Sequence, residues 1–435
     1  MKTLGIDIGT TSISLVLCEL EERRVLKAWT LKNDTFLTSP KIWEKIQDPG
    51  RIMTIVSQAI EEIQREVPDI GYIGITGQMH GILYVNQAGE AISPLYTWQD
   101  GTGDQPYREG KSYAEHLNQL LGAKFATGFG GVTLYAHARR GEIPREAVSF
   151  CTIGDYLGMQ LTRRKSPLMD ITNAASLGFY DNEKQGFRRK DIEVAGLDYE
   201  FFPRVSRERK ALGRTKDGIP VGLAIGDNQA SFMGALSDRE NSVLVNIGTG
   251  SQISFLVDSC EEIPGMEIRP FAKDQYLAVH SGLCGGRAYA ILEAFIRQLL
   301  TYFGVEASKE DVYQQMEQMA RAKSPKAGEL IVKPFFSGTR ENAEIRGEIT
   351  GLDLTNFMPE DLVQGMIMGI IDELYDRYKD TKTARAGKLQ ALVGSGNGIR
   401  CNPVMQKLIS ERFGLPLIIP DNKEEAASGV AFEVM

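Results

Sequence analysis

The stretch Gly5-Ile6-Asp7-Ile8-Gly9-Thr10-Thr11-Ser12 decides the fold, because it joins two apolar strands through a turn of glycine and hydroxyl residues. With no Cβ at Gly9, backbone N–H groups can surround an oxyanion, and the hydroxyls of Thr10, Thr11 and Ser12 add donors. A carboxylate at Asp7 fits this place if it holds a hydrated Mg²⁺ that bridges to phosphate oxygens. The stretch therefore predicts a phosphate-binding hairpin, with an ordinary β-hairpin as the alternative.

A second stretch repeats this order late in the chain. It reads Leu244-Val245-Asn246-Ile247-Gly248-Thr249-Gly250-Ser251-Gln252-Ile253-Ser254, again a strand, an Asn or Asp, Ile-Gly-Thr and a hydroxyl. Two related halves with one such hairpin each resemble the architecture of actin, sugar kinases and heat-shock ATPases. We therefore predict an α/β fold of two duplicated actin-like (ribonuclease H-like) domains with a nucleotide and sugar cleft between them, and a chance repeat is the alternative.

Length and charge narrow the class of function. A chain of 435 residues suits two or three domains, each large enough for its own core. Its 49 basic and 57 acidic residues give a net charge of -8, which provides no basic surface for nucleic acid or anionic lipid. The first residues lack an apolar signal core, and no apolar run approaches the ~20 residues of a membrane helix. We expect a cytoplasmic protein that acts on small molecules.

The cysteines and histidines predict neither disulfides nor zinc. Five cysteines are odd in number and scattered, which fits no disulfide framework and no CxxC site. The four histidines also lack the spacing of zinc ligands.

Three polar loops in the first half are predicted to surround a pocket. After the amphipathic helix predicted over Arg51 to Val67, a strand over Ile70 to Ile75 ends in Thr76-Gly77-Gln78-Met79-His80-Gly81, and strand ends are where α/β proteins bind ligands. Thr97-Trp98-Gln99-Asp100-Gly101-Thr102 and the glycine-rich Ala126 to Gly131 are the other two loops. His80 either packs in the core or bonds a polyol, and Trp98 is either a core residue or an apolar face for a sugar.

Asp227 is the best candidate for a general base. It follows a strand predicted over Gly222 to Ile225, and a carboxylate there can accept a hydroxyl proton during attack on a phosphoryl group. The alternative is a helix N-cap, because Asp is also common at that position. The polar run Ser237 to Asn241 predicts a boundary between a sugar-binding domain, 1–238, and a nucleotide-binding domain, 239–435.

The last third contains a nucleotide-binding order of elements. A strand over Leu389 to Val393 enters Gly394-Ser395-Gly396-Asn397-Gly398, and Asn402-Pro403 begins a helix. Glycines let a flat base approach the backbone, and a helix N-terminus supplies N–H donors, although a tight connection is the alternative. The charged region Lys165 to Arg214 is predicted to be an insertion or a flap.

Taken together, these motifs resemble the FGGY carbohydrate kinases along nearly the whole chain. The resemblance rests on motifs that occur in the family's order: Gly5 to Ser12, Gly77 to Gly81, Trp98-Gln99-Asp100, Gly226-Asp227-Asn228-Gln229, Ile247 to Ser251, Ser337-Gly338-Thr339-Arg340 with Arg346-Gly347, and Gly394 to Asn397. Within the family, the loops at Thr97 to Gly101, Ala126 to Gly130 and Asn173 to Ser176 look most like those of sedoheptulokinases, while xylulokinases share the Gln-Met-His-Gly motif.

The resemblance implies an ATP- and Mg²⁺-dependent kinase with a role for each matched residue. Asp227 is implied to be the base and Asp7 to lie near Mg²⁺. Residues implied near the nucleotide are Gly9, Thr10, Thr11, Ser12, Gly248, Thr249, Gly250, Gly286, Gly396, Asn397 and Asn402. Residues implied near the sugar are Met79, His80, Trp98, Gln99, Asp100 and Asn228.

Two departures from the family pattern affect these expectations. Many relatives have Arg where Thr102 stands, and the glycine loop reads Gly-Ser-Gly-Asn-Gly rather than Gly-Gly-Gly-Ala, so its register is open. We expect sedoheptulose as the substrate, with xylulose or another pentulose or polyol as the alternative. An actin-like sugar sensor or filament protein without catalysis is the rival from another class. Beyond sugar and ATP, a homodimer is an expected assembly.

Overall fold

The computed structural model describes residues 1–322, 330–339, 342, 344–385 and 389–434, and for 380–385 it describes the helical backbone alone. Arg340, part of one motif quoted above, lies outside the described residues.

The first half is built on a seven-stranded sheet with the order β15-β16-β5-β1-β2-β3, and β17 pairs with β5. The strands of this half are β1 (Lys2–Ile8), β2 (Ser12–Glu19), β3 (Arg24–Lys32), β4 (Ile46–Gln47), β5 (Ile70–Gly77), β6 (Leu83–Val85), β7 (Leu95–Tyr96), β8 (Pro106–Arg108), β9 (Lys111–Ser112), β10 (Ser149–Cys151), β11 (Leu168–Asp170), β12 (Tyr180–Asp181), β13 (Gly186–Phe187), β14 (Arg204–Ser206), β15 (Ala211–Arg214), β16 (Pro220–Gly222) and β17 (Ile225–Gly226).

The second half has a six-stranded sheet with the order β20-β21-β19-β18-β24-β25. The strands are β18 (Ser242–Ile247), β19 (Ser251–Val257), β20 (Glu267–Ala272), β21 (Gln275–Gly282), β22 (Ile331–Lys333), β23 (Glu348–Thr350), β24 (Ala391–Ser395) and β25 (Leu417–Ile418). The helices of the chain are α1 (Pro49–Glu66), α2 (Tyr113–Leu121), α3 (Gly130–Arg140), α4 (Ile153–Thr162), α5 (Ile171–Ser176), α6 (Arg189–Val194), α7 (Asp227–Ala235), α8 (Gly286–Tyr302), α9 (Lys309–Ala322), α10 (Pro359–Arg385), α11 (Asn397–Arg400), α12 (Pro403–Phe413) and α13 (Glu425–Ala431).

The two sheets repeat one pairing pattern around their hairpins. In the first, β1 pairs antiparallel with β2 and parallel with β5. In the second, β18 pairs antiparallel with β19 and parallel with β24. Because the carboxyl ends of parallel strands meet at one edge of a sheet, each hairpin turn lies beside the end of a second strand. The predicted duplication and fold class are confirmed.

Helix α1 shows why the sequence pattern predicted its position well. Asp48 caps it by accepting bonds from the N–H groups of Gly50 and Arg51, and Pro49 occupies the first turn, where no N–H partner is needed. Its buried residues are Ile52, Val56, Ile60 and Ile63, so one apolar face covers the sheet. The helix begins two residues before the predicted start and ends one residue before the predicted end.

The prediction that Lys165 to Arg214 is irregular or a flap is wrong, while its interpretation as an insertion stays a prediction. This segment contains β11 to β15, α5 and α6. Met169, Phe179 and Ile192 are fully buried in the same core as the first sheet. The high charge of the region misled the prediction, because its arginines and acidic residues lie between buried apolar positions rather than in place of them.

The last helix, α13, packs on the first half although it follows the second sheet. A Cβ on Gly5 of β1 would lie 1.8 Å from the carbonyl oxygen of Ala427, and one on Gly74 of β5 would lie 2.1 Å from that of Val430. Glycine is required at both positions, because any side chain would collide with the helix backbone. The domain boundary at residue 238 stays a prediction. Helix α13 belongs to the second domain by sequence but packs on the sheet of the first.

The described residues contain no helix that is both long and apolar enough to span a bilayer.

Candidate active site

Asp227 lies where three strand ends of the first sheet meet. β1, β5 and β17 run parallel, and Asp227 directly follows β17. The helix α7 begins at Asp227, with Gly226 as its N-cap and no side-chain capping bond, so the alternative role of Asp227 as an N-cap is not observed. The Oδ1 atom of Asp227 is buried and has no hydrogen-bond partner in the described part of the chain.

Burial controls the acidity of this carboxyl group. It raises the pKa of Asp227 to about 6, against the smaller lowering effects of the Asn228 N–H group and the Arg269 guanidinium. A carboxylate with this pKa is ionised at neutral pH yet basic enough to take a proton, which is the property that a general base needs.

Asp7 lies at the end of β1 in the same environment. Its pKa is raised to about 7, mainly by burial and also by the negative charges of Asp227 and Glu424. Its Oδ1 is also buried without a hydrogen-bond partner among the described residues. Two neighbouring buried carboxylate oxygens that lack donors fit a divalent cation, which would neutralise their repulsion.

No group of three or more His, Cys, Asp or Glu side chains able to hold a metal occurs in the described ranges. A cation here would therefore be bound by Asp7, with Asp227 nearby, together with water and phosphate oxygens. This is how Mg²⁺ is usually held at nucleotide sites.

Side-chain amides form hydrogen bonds to the backbone carbonyl groups of the first hairpin turn. Asn33 Nδ2 donates to the Gly9 carbonyl at 2.8 Å, and Gln47 Nε2 donates to the Thr10 carbonyl at 2.9 Å. Trp98 Nε1 donates to Thr10 Oγ1 at 2.9 Å, so the predicted sugar loop touches the predicted phosphate turn. These bonds fix the turn without relying on a ligand.

A cavity of about 230 Å³ is the candidate sugar site, and although Asp227 does not line it, Gln229 of the same helix does. It contains the predicted residues Met79 and His80, and Arg269, whose charge acts on Asp227, also lines it. The other lining side chains that carry charge are Lys124, Arg188 and Glu267.

His80 is held in an unusual conformation at this cavity. Its φ angle is 72°, a left-handed value that is rare for a residue with a side chain. Its Nδ1 lies 2.6 Å from the Ser176 carbonyl oxygen, which can only accept, so Nδ1 carries the proton and Nε2 is the acceptor. The ring stacks on Phe129 at 4.9 Å between centroids. Of the two interpretations given for His80, this geometry favours a binding role.

The other predicted sugar residues lie outside the cavity lining. Trp98 is about half exposed and bonded to Thr10, and Gln99 follows it. Asp100 is fully buried and caps a short turn by accepting from the N–H groups of Thr102 and Lys45, at 3.0 and 3.1 Å. Asn228 Nδ2 lies 3.6 Å from Met79 Sδ. Their contacts with a sugar stay predictions.

A larger cavity, of about 950 Å³, lies at the second hairpin and is the candidate nucleotide site. Five of the predicted nucleotide residues line it together: Gly248, Thr249, Gly286, Asn397 and Asn402.

The two other predicted nucleotide residues of the second half, Gly250 and Gly396, are not in the cavity lining. A Cβ on Gly250 would lie 2.8 Å from the carbonyl oxygen of Gly282. Gly396 has a φ of 80°, and a Cβ there would lie 2.6 Å from the Ile247 carbonyl oxygen. Both glycines are explained by close backbone approach.

The sequence pattern missed two tyrosines in this cavity. Tyr289 of α8 and Tyr313 of α9 both line it, and their rings stack at 5.7 Å between centroids. Tyr289 lies one helical turn after the glycine pair Gly285-Gly286, a spacing that could have indicated it. Tyr313 gives no such signal, because only the packing of α9 brings it to the site.

Two consecutive residues before and in α13 connect the halves of the site. Glu424 accepts a bond from Thr30 of β3 at 2.8 Å, on the first sheet. Glu425 accepts from Ser395 at 2.7 Å and pairs with Arg400 at 2.7 Å, beside the second hairpin. The two acidic residues therefore connect the two sheets near their candidate ligand-binding edges.

Comparison with known proteins agrees with this arrangement. The model of the FGGY family of carbohydrate kinases, N-terminal domain, matches residues 2–244, and the C-terminal domain model matches residues 244–433. A sedoheptulokinase of Mus musculus is 26% identical over all of this chain and 97% of its own length. A gluconokinase of Bacillus subtilis (strain 168) is 21% identical, covering 98% of this chain and 85% of the relative. The solved xylulose kinase from Rhodospirillum rubrum has a TM-score of 0.84 at 20% identity, covering 99% of this chain and 89% of that one.

Proposed function

The chain belongs to the FGGY family of carbohydrate kinases, and on that premise we propose that it transfers the γ-phosphoryl group of ATP to a terminal hydroxyl of sedoheptulose. That it is a sugar kinase follows from the family, which removes the rival of a sensor or filament protein without catalysis. The observation that carries the proposal is the Asp227 carboxylate, which has a buried oxygen without a hydrogen-bond partner among the described residues and interacts electrostatically with Arg269, a lining residue of the cavity that holds His80.

The proposed reaction assigns a separate task to each part of the site. Asp227 accepts the proton of the sugar hydroxyl as that oxygen attacks the γ-phosphorus, and ADP leaves with the electron pair of the broken P–O bond. The hairpin turns at Gly9 and Gly248 hold phosphate oxygens, and His80 holds the sugar. Mg²⁺ near Asp7 would supply charge neutralisation on the phosphates. Closure of the two halves would exclude water, the competing acceptor.

The choice of sedoheptulose rests on the sedoheptulokinase resemblance, which extends over the whole chain. Thr102, which stands where many relatives have Arg, is fully buried and does not line the candidate sugar cavity, so it adds no support for a longer sugar. Cytoplasmic location and a homodimer remain predictions.

A sugar acid is the second candidate, because the sugar cavity is cationic. Lys124, Arg188 and Arg269 line it against the single acidic residue Glu267. A carboxylate on the far end of an open-chain substrate would be attracted there. The Bacillus subtilis relative named above is a gluconokinase, which agrees with this alternative.

The test is sugar-dependent ADP release by the purified protein with sedoheptulose, D-xylulose, D-gluconate and glycerol in parallel. We expect kcat/KM to be highest for sedoheptulose, because a site that hydrogen-bonds extra hydroxyls rejects analogues that lack them. A ratio of sedoheptulose to D-xylulose below one overturns the substrate assignment. A preference for D-gluconate establishes the second candidate in its place.

A further inference from the structure

The short helix α5 lies between Asp227 and His80 and is bonded to the segments that carry both. Its first turn holds the strand before Asp227. Thr172 Oγ1 accepts a bond from the Gly226 N–H at 2.9 Å, and Asn173 Nδ2 donates to the Ala224 carbonyl at 3.0 Å. Both side chains are buried, so neither bond competes with bulk water.

The other end of α5 holds the sugar loop. The Ser176 carbonyl oxygen accepts a hydrogen bond from His80 Nδ1 at 2.6 Å, and Ser176 Oγ accepts one from the His80 backbone N–H at 3.2 Å. The same hydroxyl donates to the Asn173 carbonyl at 2.7 Å. One six-residue helix therefore fixes the proposed base and the proposed sugar ligand relative to each other.

The strand before Asp227 needs this support because it is very short. β17 has two residues, Ile225 and Gly226, and pairs only with β5. Thr76 Oγ1 adds a bond to the Ile225 carbonyl at 2.7 Å. Hydrogen bonds from side chains therefore hold this strand in place, as backbone hydrogen bonds hold longer strands.

Buried acidic side chains accept hydrogen bonds from the same α5 residues, Thr172 and Asn173. Thr172 Oγ1 donates its proton to Asp170 Oδ1 at 2.6 Å, which leaves the hydroxyl oxygen to accept from Gly226. The Asp170 carboxylate faces Arg209 at 3.9 Å. Asp155, which caps α4, lies 3.5 Å from Asn173 Nδ2. The donors of Thr172 and Asn173 are therefore already engaged, and neither side chain has one left for an added sugar hydroxyl.

We propose that Thr172 and Asn173 are positioning residues, which hold the Ala224 to Gly226 backbone so that Asp227 stands at attack distance from the sugar bound at His80. This inference rests on the proposed function. Misplacement of a reacting group by about 1 Å can cost ~100-fold in rate, while substrate binding, which depends on other contacts, is retained. The signature of the role is therefore a loss in kcat with KM preserved.

The experiment compares Thr172→Val, which removes the hydroxyl at nearly constant volume, with Thr172→Ser, which keeps it. Sugar-dependent kcat and the KM values for sugar and ATP are measured, together with Tm and ATP affinity by calorimetry. Thr3→Val is the matched control, since Thr3 is also fully buried in the first half and its hydroxyl has no hydrogen bond among the described residues. Thr172→Ala, compared with Thr172→Ser, replaces the valine variant if that variant does not fold.

We expect kcat of Thr172→Val to fall about tenfold to hundredfold with both KM values within about twofold. Thr172→Ser and Thr3→Val should keep the kcat of the unsubstituted protein. An unchanged kcat in a folded Thr172→Val overturns the inference. So does a raised KM for sugar with kcat preserved, because Thr172 lines the cavity and would then be a substrate contact. Failure of the proposed function is distinct, since it appears as absent sugar phosphorylation before any substitution.

Discussion

Replacing Asp227 by Asn tests the catalytic assignment most directly. The amide has nearly the shape of the carboxyl group, so the start of α7 and the bond to the Asn228 N–H should survive. What is lost is the oxygen that accepts a proton, and general-base catalysis contributes on the order of 10² to 10⁴ in rate. We therefore expect kcat to fall by that factor, with ATP affinity measured by calorimetry unchanged.

The raised pKa supplies a second measurement on the unsubstituted enzyme. In the site without a cation, burial raises the pKa of Asp227 to about 6 and helps to raise that of its neighbour Asp7 to about 7, so both carboxyl groups are protonated in acid, and the observed value belongs to the pair. With an effective pKa of about 6, only about one base in eleven is ionised at pH 5. We expect kcat/KM at pH 5 to be about tenfold below its plateau above pH 7.

The assay is coupled ADP release with saturating Mg·ATP across pH 5 to 8. Asp217→Asn, in an exposed turn of the same domain, is the control for loss of one negative charge. Asp227→Asn with the turnover of this control would refute the role of Asp227 as a base. A rate that does not fall in acid would contradict the raised pKa as the source of its reactivity.

Two further predictions concern the nucleotide hairpin and acid stability. Gly248→Val should weaken ATP binding by tenfold or more in calorimetry at unchanged Tm, because a Cβ there meets no protein atom closer than 3.7 Å yet enters the nucleotide cavity. The control Gly186→Val, at another position with space for a side chain, should bind ATP normally. Equal ATP affinities of the two variants would contradict a phosphate-binding role for the hairpin. Burial lowers the pKa of His137 from 6.5 to about 4, so its stabilising effect is present above pH 6.5 and is lost as pH falls towards 4. In urea titrations, the free energy of unfolding should therefore fall by ~2.5 kcal/mol less for His137→Gln than for the unsubstituted protein between pH 7 and pH 4.5. An equal fall in the two proteins would contradict this assignment.

The sequence predicted the hairpins and their surroundings well because those features are local. The turn at Gly9 and its repeat at Gly248 depend on adjacent residues, and the end of β5 follows from one apolar run. The cap of α9 is equally local, because the Asp311 N–H donates to Ser308 Oγ at 3.1 Å. Local chemistry alone determines each of these.

What the sequence did not predict depends on packing between distant segments. The bonds of Thr172 to Gly226 and of Asn173 to Ala224 join residues that are far apart in sequence, so no local pattern indicated them. The bond from the Lys45 N–H to the buried Asp100 carboxylate and the stacking of Tyr313 on Tyr289 also join distant segments. Polar residues in a loop motif look alike in the sequence whether they contact ligand or backbone.

The position of α13 gives the protein an order of assembly during its synthesis. The faces of β1 and β5 at Gly5 and Gly74 are made first, and the helix that covers them is made only after all strands of the second sheet. At ~5–20 residues per second, the nascent first half waits on the order of tens of seconds for that helix. Until then its sheet exposes a strip of bare backbone and small residues, which a chaperone can shield. The first half thus reaches its final form only after the second has been translated.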